Sequence, residues 1–116
     1  MAGGLSIHVV DVSRGIVAAG MRVDVRRIAP EALLASGTIG ARGTLDDAAL
    51  AATMTPGVYE AVFHVAAFYR EAGIIGMGVP FLDIVTYRFG IADPQQHYHL
   101  PMKLTPWGYS CFRGGQ

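Results

Sequence analysis

Four histidines carry most of the acid–base chemistry available to this chain: His8, His64, His97 and His99. His97 and His99 stand at i and i+2 in a strand-like run, so both imidazoles project from one sheet face. His8 lies on the polar register of the first strand-like run, Leu5 to Val10. Two or three imidazoles meeting on one face can bind a metal or activate a water. The competing reading is a set of surface or interface histidines, because a short His-x-His run has little specificity. Arg113 is the cation nearest the chain end, ahead of Gly114-Gly115-Gln116. It is either part of a solvated tail or an anion clamp beside a histidine site. Ser110 and Cys111 lack the Gly-x-Ser-x-Gly surroundings of an activated nucleophile, and Cys111 reads as a small buried apolar residue. The glycines from Gly73 to Gly78 lack the Gly-Lys-Ser/Thr ending of a phosphate loop. Tyr87, Tyr98, Trp107 and Tyr109 suit core or interface packing better than stacking on a ligand.

The elements that must hold these residues have a period of two. Leu5, Ile7 and Val9 alternate with Ser6, His8 and Val10, and Met21, Val23 and Val25 alternate with Arg22, Asp24 and Arg26. Tyr59, Ala61, Phe63 and Val65 share one face, with Glu60 and His64 on the other. Phe81 to Phe89 reads as a further strand. Tyr98, Leu100, Met102 and Leu104 oppose His97, His99, Lys103 and Thr105, and a short strand follows near Tyr109 to Phe112. Turn signals such as Ser13-Arg14-Gly15, Pro56-Gly57 and Ala92-Asp93-Pro94 separate the runs. Two short helices are expected, over Asp46 to Thr53 and over Ala66 to Ala72, the second stopped by Gly73. Short strands at this spacing predict an all-β sandwich.

At 116 residues the chain has the length of one domain. Hydrophobic residues make up 52% and charged residues 16%, which argues against disorder. Nine basic residues balance nine acidic ones, so neither a nucleic-acid footprint nor a polybasic membrane patch is present. The low charge suggests surface covered by other copies of the chain. One cysteine excludes an intrachain disulfide and a Cys-rich zinc site. No apolar run spans a bilayer and the N-terminus lacks secretory features, so a cytoplasmic location is expected.

Leu5-Ser6-Ile7-His8-Val9-Val10-Asp11, Arg14-Gly15 and Ala18-Ala19-Gly20-Met21-Arg22-Val23 together resemble the transthyretin-related family, which includes the 5-hydroxyisourate hydrolases. So do His97-Tyr98-His99-Leu100-Pro101, Thr105-Pro106-Trp107-Gly108-Tyr109-Ser110 and Phe112-Arg113-Gly114. The middle of the chain, from Pro56-Gly57-Val58-Tyr59 through Val79-Pro80-Phe81, follows the same pattern. The resemblance implies a two-sheet sandwich with a short helix. It also implies a homotetramer whose channel is built from the strand bearing Tyr98 to Leu104 and its neighbours. Within the hydrolase branch it assigns catalysis to His8, His99 and Arg113, which open a lactam ring with neither metal nor organic cofactor. Substrate contacts fall to Arg42, Thr44, His97, Phe112, Gly114 and Gly115, with His97 mattering less than His99. Three positions depart from the hydrolase pattern: Thr44 stands where an Arg is expected, Phe112 where a Tyr is, and Gly115 where a Ser is, with Gln116 added.

Two function classes follow. One is a purine-catabolism hydrolase acting on 5-hydroxyisourate or a substituted analogue. The other is a tetramer that binds a small molecule in its channel and turns nothing over. The C-terminal Phe112 to Gln116 is expected to be ordered, anchored by Phe112, with Arg113 beside the histidines.

Overall fold

The computed structural model describes residues 3–52 and 54–115. Its elements run β1 (Leu5–Asp11), β2 (Ile16–Val17), β3 (Arg22–Arg27), β4 (Ala32–Thr38), α1 (Ala48–Ala51), β5 (Gly57–His64), α2 (Val65–Glu71), β6 (Ile84–Ile91), β7 (Tyr98–Thr105) and β8 (Gly108–Cys111). The strands form two four-stranded sheets, ordered β2-β1-β7-β8 and β4-β3-β5-β6. The fold is an all-β sandwich, as the alternating sequence requires.

Alternate residues of each central strand turn inward. Leu5, Ile7 and Val9 of β1 and Leu100, Met102 and Leu104 of β7 meet Val23 and Val25 of β3 and Tyr59, Ala61 and Phe63 of β5. Burying one large side chain of this kind stabilises by about 2 kcal/mol, so the pattern fixes which face of each strand points to the core. The opposite faces are left for chemistry. On β1 that face carries Ser6, His8 and Val10, all half-buried.

Two strands were not legible in the sequence. β4 is an edge strand whose only fully inward residue is Ala35, so its alternation is nearly featureless. β2 has two residues, too few for a period. The strand expected from Phe81 begins instead at Ile84, and Phe81 is 83% exposed. The reason lies in the preceding segment. Arg70 of α2 donates to the carbonyls of Gly76 and Gly78, which ties residues 74–83 into a loop. Both expected helices form. α1 is capped by the Asp47 carboxylate, which accepts from the Ala49 amide. The expected end of that helix, Thr53, lies outside the described residues. α2 ends at Glu71 with Ala72 as its cap, and Gly73 next in the chain has a φ of +74°, the left-handed conformation a helix stop favours.

At its C-terminal end β1 delivers one carboxylate into the interior. Asp11 is 0% exposed and accepts from the amide and hydroxyl of Ser13 and from Arg14 Nε at 2.7 Å. The Arg14 guanidinium then lies over the rings of Phe68 and Tyr69, joining the β1–β2 turn to α2. Burial pushes the Asp11 pKa up, but the hydrogen bonds from Ser13 and Arg14 and the charge of the Arg14 guanidinium help hold the carboxyl below its ordinary 3.8. A depressed carboxylate pKa contributes stability that is complete above the unfolded value and is lost as pH falls through the folded one. Asp11→Ala leaves the clamp without its anion and is expected to cost about 3 kcal/mol. For a domain of this size that lowers Tm by roughly 10 °C, readable by circular dichroism at pH 7. A shift of only about 2 °C would show that the clamp is not structural.

Candidate active site

β1 and β7 pair in parallel with Ser6 opposite His99 and His8 opposite Pro101. Register partners in a sheet share a face, so Ser6, His8 and His99 emerge together on the outer side of the first sheet. Along the other edge of β1 lies the segment 43–45. The Val9 amide donates to the Gly43 carbonyl at 2.8 Å, and the Leu45 amide to the Ile7 carbonyl at 3.2 Å. This makes Thr44 the antiparallel bridge partner of His8. His8 is therefore flanked by Pro101 on one side and Thr44 on the other, and Thr44 donates its hydroxyl to the Asp46 carboxylate.

Each imidazole is seated against a glycine. A Cβ on Gly43 would stand 2.6 Å from His8 Nε2 and 2.8 Å from a Val17 methyl, closer than atoms can pack. Gly43 also has φ of +85°, at the end of a turn closed by its amide on the Gly40 carbonyl. A Cβ on Gly114 would stand 3.0 Å from His99 Cδ2 and 2.9 Å from Pro101 Cδ. The backbone thus approaches both rings as only glycine allows.

Behind His99 runs a chain of hydrogen bonds. Ser6 Oγ lies 2.6 Å from His99 Nδ1 and 2.9 Å from His97 Nε2, and His97 Nδ1 lies 3.0 Å from the Gly3 carbonyl oxygen. No hydrogen bond reaches His99 Nε2 among the described residues. Ser6, His97, His99 and Gly115 line a shallow cavity of about 200 Å³. Burial first, then the charges that His8 and His97 carry when protonated, hold the His99 pKa below its ordinary 6.5. A neutral imidazole in this position can take a proton from water.

The C-terminal segment is ordered through Gly115, and Gln116 lies outside the described residues. Met102 pairs with Cys111, and three residues further along each strand His99 bridges Gly114, so the tail continues β8 in the same register. The Gly114 amide donates to the His99 carbonyl at 2.7 Å. That register sends Arg113 to the other side from His99. Its guanidinium stacks on the Tyr98 ring at 4.1 Å and donates to Gln96 Oε1 and the His97 carbonyl. The expectation that Arg113 stands beside the imidazoles is corrected: successive strand residues alternate faces, and Gly114 holds the face of His99. Nor is Phe112 an anchor in the core. It is 41% exposed, with the Lys103 ammonium over its ring.

Arg42 is exposed within the turn of residues 40–43. The i and i+2 rule that would place it beside Thr44 fails, because the left-handed Gly43 breaks the strand between them. His64 belongs to the second sheet, where it pairs with Asp24 at 2.9 Å. Burial raises the Cys111 thiol pKa to about 11, which keeps it protonated and apolar in its role. Ser6 and Gly43 are the residues that sequence reasoning passed over. The signal for Ser6 was present, since it shares the polar register of β1 with His8.

A family model described as HIUase/Transthyretin family matches residues 5–114. The protein named 5-hydroxyisourate hydrolase 2 from Rhizobium meliloti (strain 1021) is 38% identical over 116 residues, covering 97% of each chain. The solved structure of Klebsiella pneumoniae 5-hydroxyisourate hydrolase superposes with a TM-score of 0.82 at 28% identity, over 97% of this chain and 99% of that one. A crystal structure of (S)-allantoin synthase superposes with a TM-score of 0.89 at 34% identity. It covers 98% of this chain, which spans only 44% of that longer one.

The depressed pKa of His99 sets a testable sign. Its stabilising contribution is complete above 6.5 and is lost as pH falls through the lower folded value. An NMR titration of the His99 ring is expected to give a midpoint below 6.5. In His8→Asn, which removes one of the two neighbouring charges, the midpoint moves upward. A midpoint at or above 6.5 in the native protein would overturn this electrostatic account.

Proposed function

The chain belongs to the HIUase/Transthyretin family, and from that premise we propose that it is a hydrolase opening the lactam ring of 5-hydroxyisourate, or of a substituted analogue, in purine catabolism. The observation that carries this reading is the pair of imidazoles on one face of β1 and β7, with His99 lining a cavity and His8 one step along the same face. Identity to a curated hydrolase along almost the whole chain supports it.

In this reaction an imidazole takes a proton from a water molecule as the water oxygen bonds to the lactam carbonyl carbon. The carbonyl electrons move onto oxygen. Their return breaks the carbon–nitrogen bond, and the imidazolium gives its proton to the departing nitrogen. The ring opens and the free base is restored. His99 suits the role of base because its pKa is lowered, so it is neutral at physiological pH. His8 holds the water from the neighbouring strand.

Selectivity between the plain and a substituted lactam turns on residue 44. Thr44 offers one hydroxyl beside His8, already turned to Asp46, where the resemblance expects a guanidinium. A substituted lactam has fewer N–H and anionic groups to satisfy, which fits a site with fewer charged donors. The alternative of a binding tetramer without turnover draws on the same change and on the seating of Arg113 against Tyr98.

We further propose that the working form is a homotetramer. A cavity of about 200 Å³ is shallow for a ligand site, which ordinarily needs ~300 Å³ or more, and another copy laid across the face would enclose it. The unpaired, half-buried Cys111 suits a reducing compartment such as the cytoplasm.

Freshly generated 5-hydroxyisourate, followed by ultraviolet absorbance, is expected to decay faster with the protein than without it. His8→Ala and His99→Ala each lower that rate at least ~100-fold while leaving the thermal unfolding midpoint nearly unchanged. If neither the plain nor an N-alkylated substrate is turned over by the native chain, the binding reading replaces this one. Static light scattering is expected to give four times the chain mass of 12.3 kDa. A stable monomer at micromolar concentration would remove the shared-site argument.

A further inference from the structure

Gly3, His97, Ser6 and His99 form one chain of hydrogen bonds, and its polarity can be read from the end that has no choice. The Gly3 carbonyl oxygen only accepts, so the proton of that 3.0 Å bond sits on His97 Nδ1. In neutral His97 the other nitrogen, Nε2, is then an acceptor. Its partner at 2.9 Å is Ser6 Oγ, so the serine donates its hydroxyl hydrogen there. A hydroxyl has one hydrogen. Toward His99 Nδ1, at 2.6 Å, Ser6 can only accept, and the His99 proton is held on Nδ1. The lone pair of His99 is thereby left on Nε2, the ring atom next to the Cδ2 that rests on Gly114.

We propose that Ser6 and His97 are positioning residues that fix the tautomer of His99, so that Nε2 is the basic atom presented to the substrate. The device rests on the hydrolase reading for its purpose, and on geometry alone for its existence. Its parts are held by the ladder. The register Ser6↔His99 sets the serine opposite the ring it serves. The same pairing runs on past β1, with the Tyr98 amide on the Gly4 carbonyl at 2.9 Å and the Gly3 amide on the Gln95 carbonyl at 2.9 Å. That extension places the Gly3 carbonyl where His97 can reach it. His97 therefore acts through Ser6, two hydrogen bonds from the reacting atoms. This adds a positioning role to a residue that lines the same cavity and that the resemblance places among the substrate contacts, below His99 in weight.

Nitrogen-15 NMR of the histidine rings in the substrate-free protein at neutral pH reads the tautomer directly. The native protein is expected to show His99 with Nδ1 protonated and Nε2 bare. In Ser6→Ala and in His97→Phe that preference is lost. Ser6→Thr, which keeps the hydroxyl, and His97→Gln, which keeps a donor for Gly3 and an acceptor for Ser6, retain it. Turnover is expected to follow the spectrum: kcat falls about 10–100-fold in Ser6→Ala with KM nearly unchanged, and recovers in Ser6→Thr. A native His99 protonated on Nε2, or a Ser6→Ala protein whose His99 keeps the native tautomer, overturns the proposal. Should the native chain turn over no lactam, the hydrolase reading fails on its own, and the NMR result still decides whether Ser6 and His97 set the tautomer.

Discussion

The parallel pairing of β1 with β7 is the constraint on which the rest depends. One register, Ser6 opposite His99, sends Leu5, Ile7 and Val9 into the core and brings the imidazoles and their serine together outside it. A slip of β1 by one residue would turn its own faces over, burying Ser6 and His8, exposing Leu5, Ile7 and Val9, and leaving His99 alone on the outer side. Packing energy and site geometry are therefore set by the same choice. The apolar stripe, at about 2 kcal/mol for each large side chain, is by far the stronger hand in making it. The site costs the fold little, because it occupies the face that the core does not need.

How the two imidazoles are fenced follows from that ladder. Gly43 reaches His8 from the edge of β1 away from β7, and Gly114 reaches His99 from beyond β7. Pro101 stands between them on the strand, opposite His8. It has no amide to offer the tail, so the bond that fastens the C-terminal segment lies further along, from the Gly114 amide to the His99 carbonyl. Arg113, one residue earlier, is turned to Tyr98.

The central strands and both histidines of the site were legible because alternation is strong there: β1, β5 and β7 each carry an unbroken apolar stripe. β4 was not, since an edge strand with one inward Ala35 has almost no period to detect. Arg42 and Arg113 show the limit of the same rule. Alternation holds only while the strand is regular and its register known. Gly43, with its left-handed backbone, breaks it for Arg42, and an odd step along the tail inverts it for Arg113. Ser6 was visible as a polar residue on the right face. Its partners lie more than ninety residues away in the chain, so no local pattern could show what it binds.

Gly115 differs from the two glycines that seat the rings. It lines the cavity, yet a Cβ built there meets nothing within 4 Å. Gly43 and Gly114 leave no such room. Inheritance and novelty are thus assigned to separate addresses. A side chain at position 43 must displace the His8 ring, and one at position 114 must displace Pro101 and press on the His99 ring. Position 115 is open to drift, and a new hydroxyl or amide can be tried at the rim while the base beneath keeps its shape. A lineage carrying this scaffold can rewrite what it recognises one residue at a time without first dismantling how it reacts.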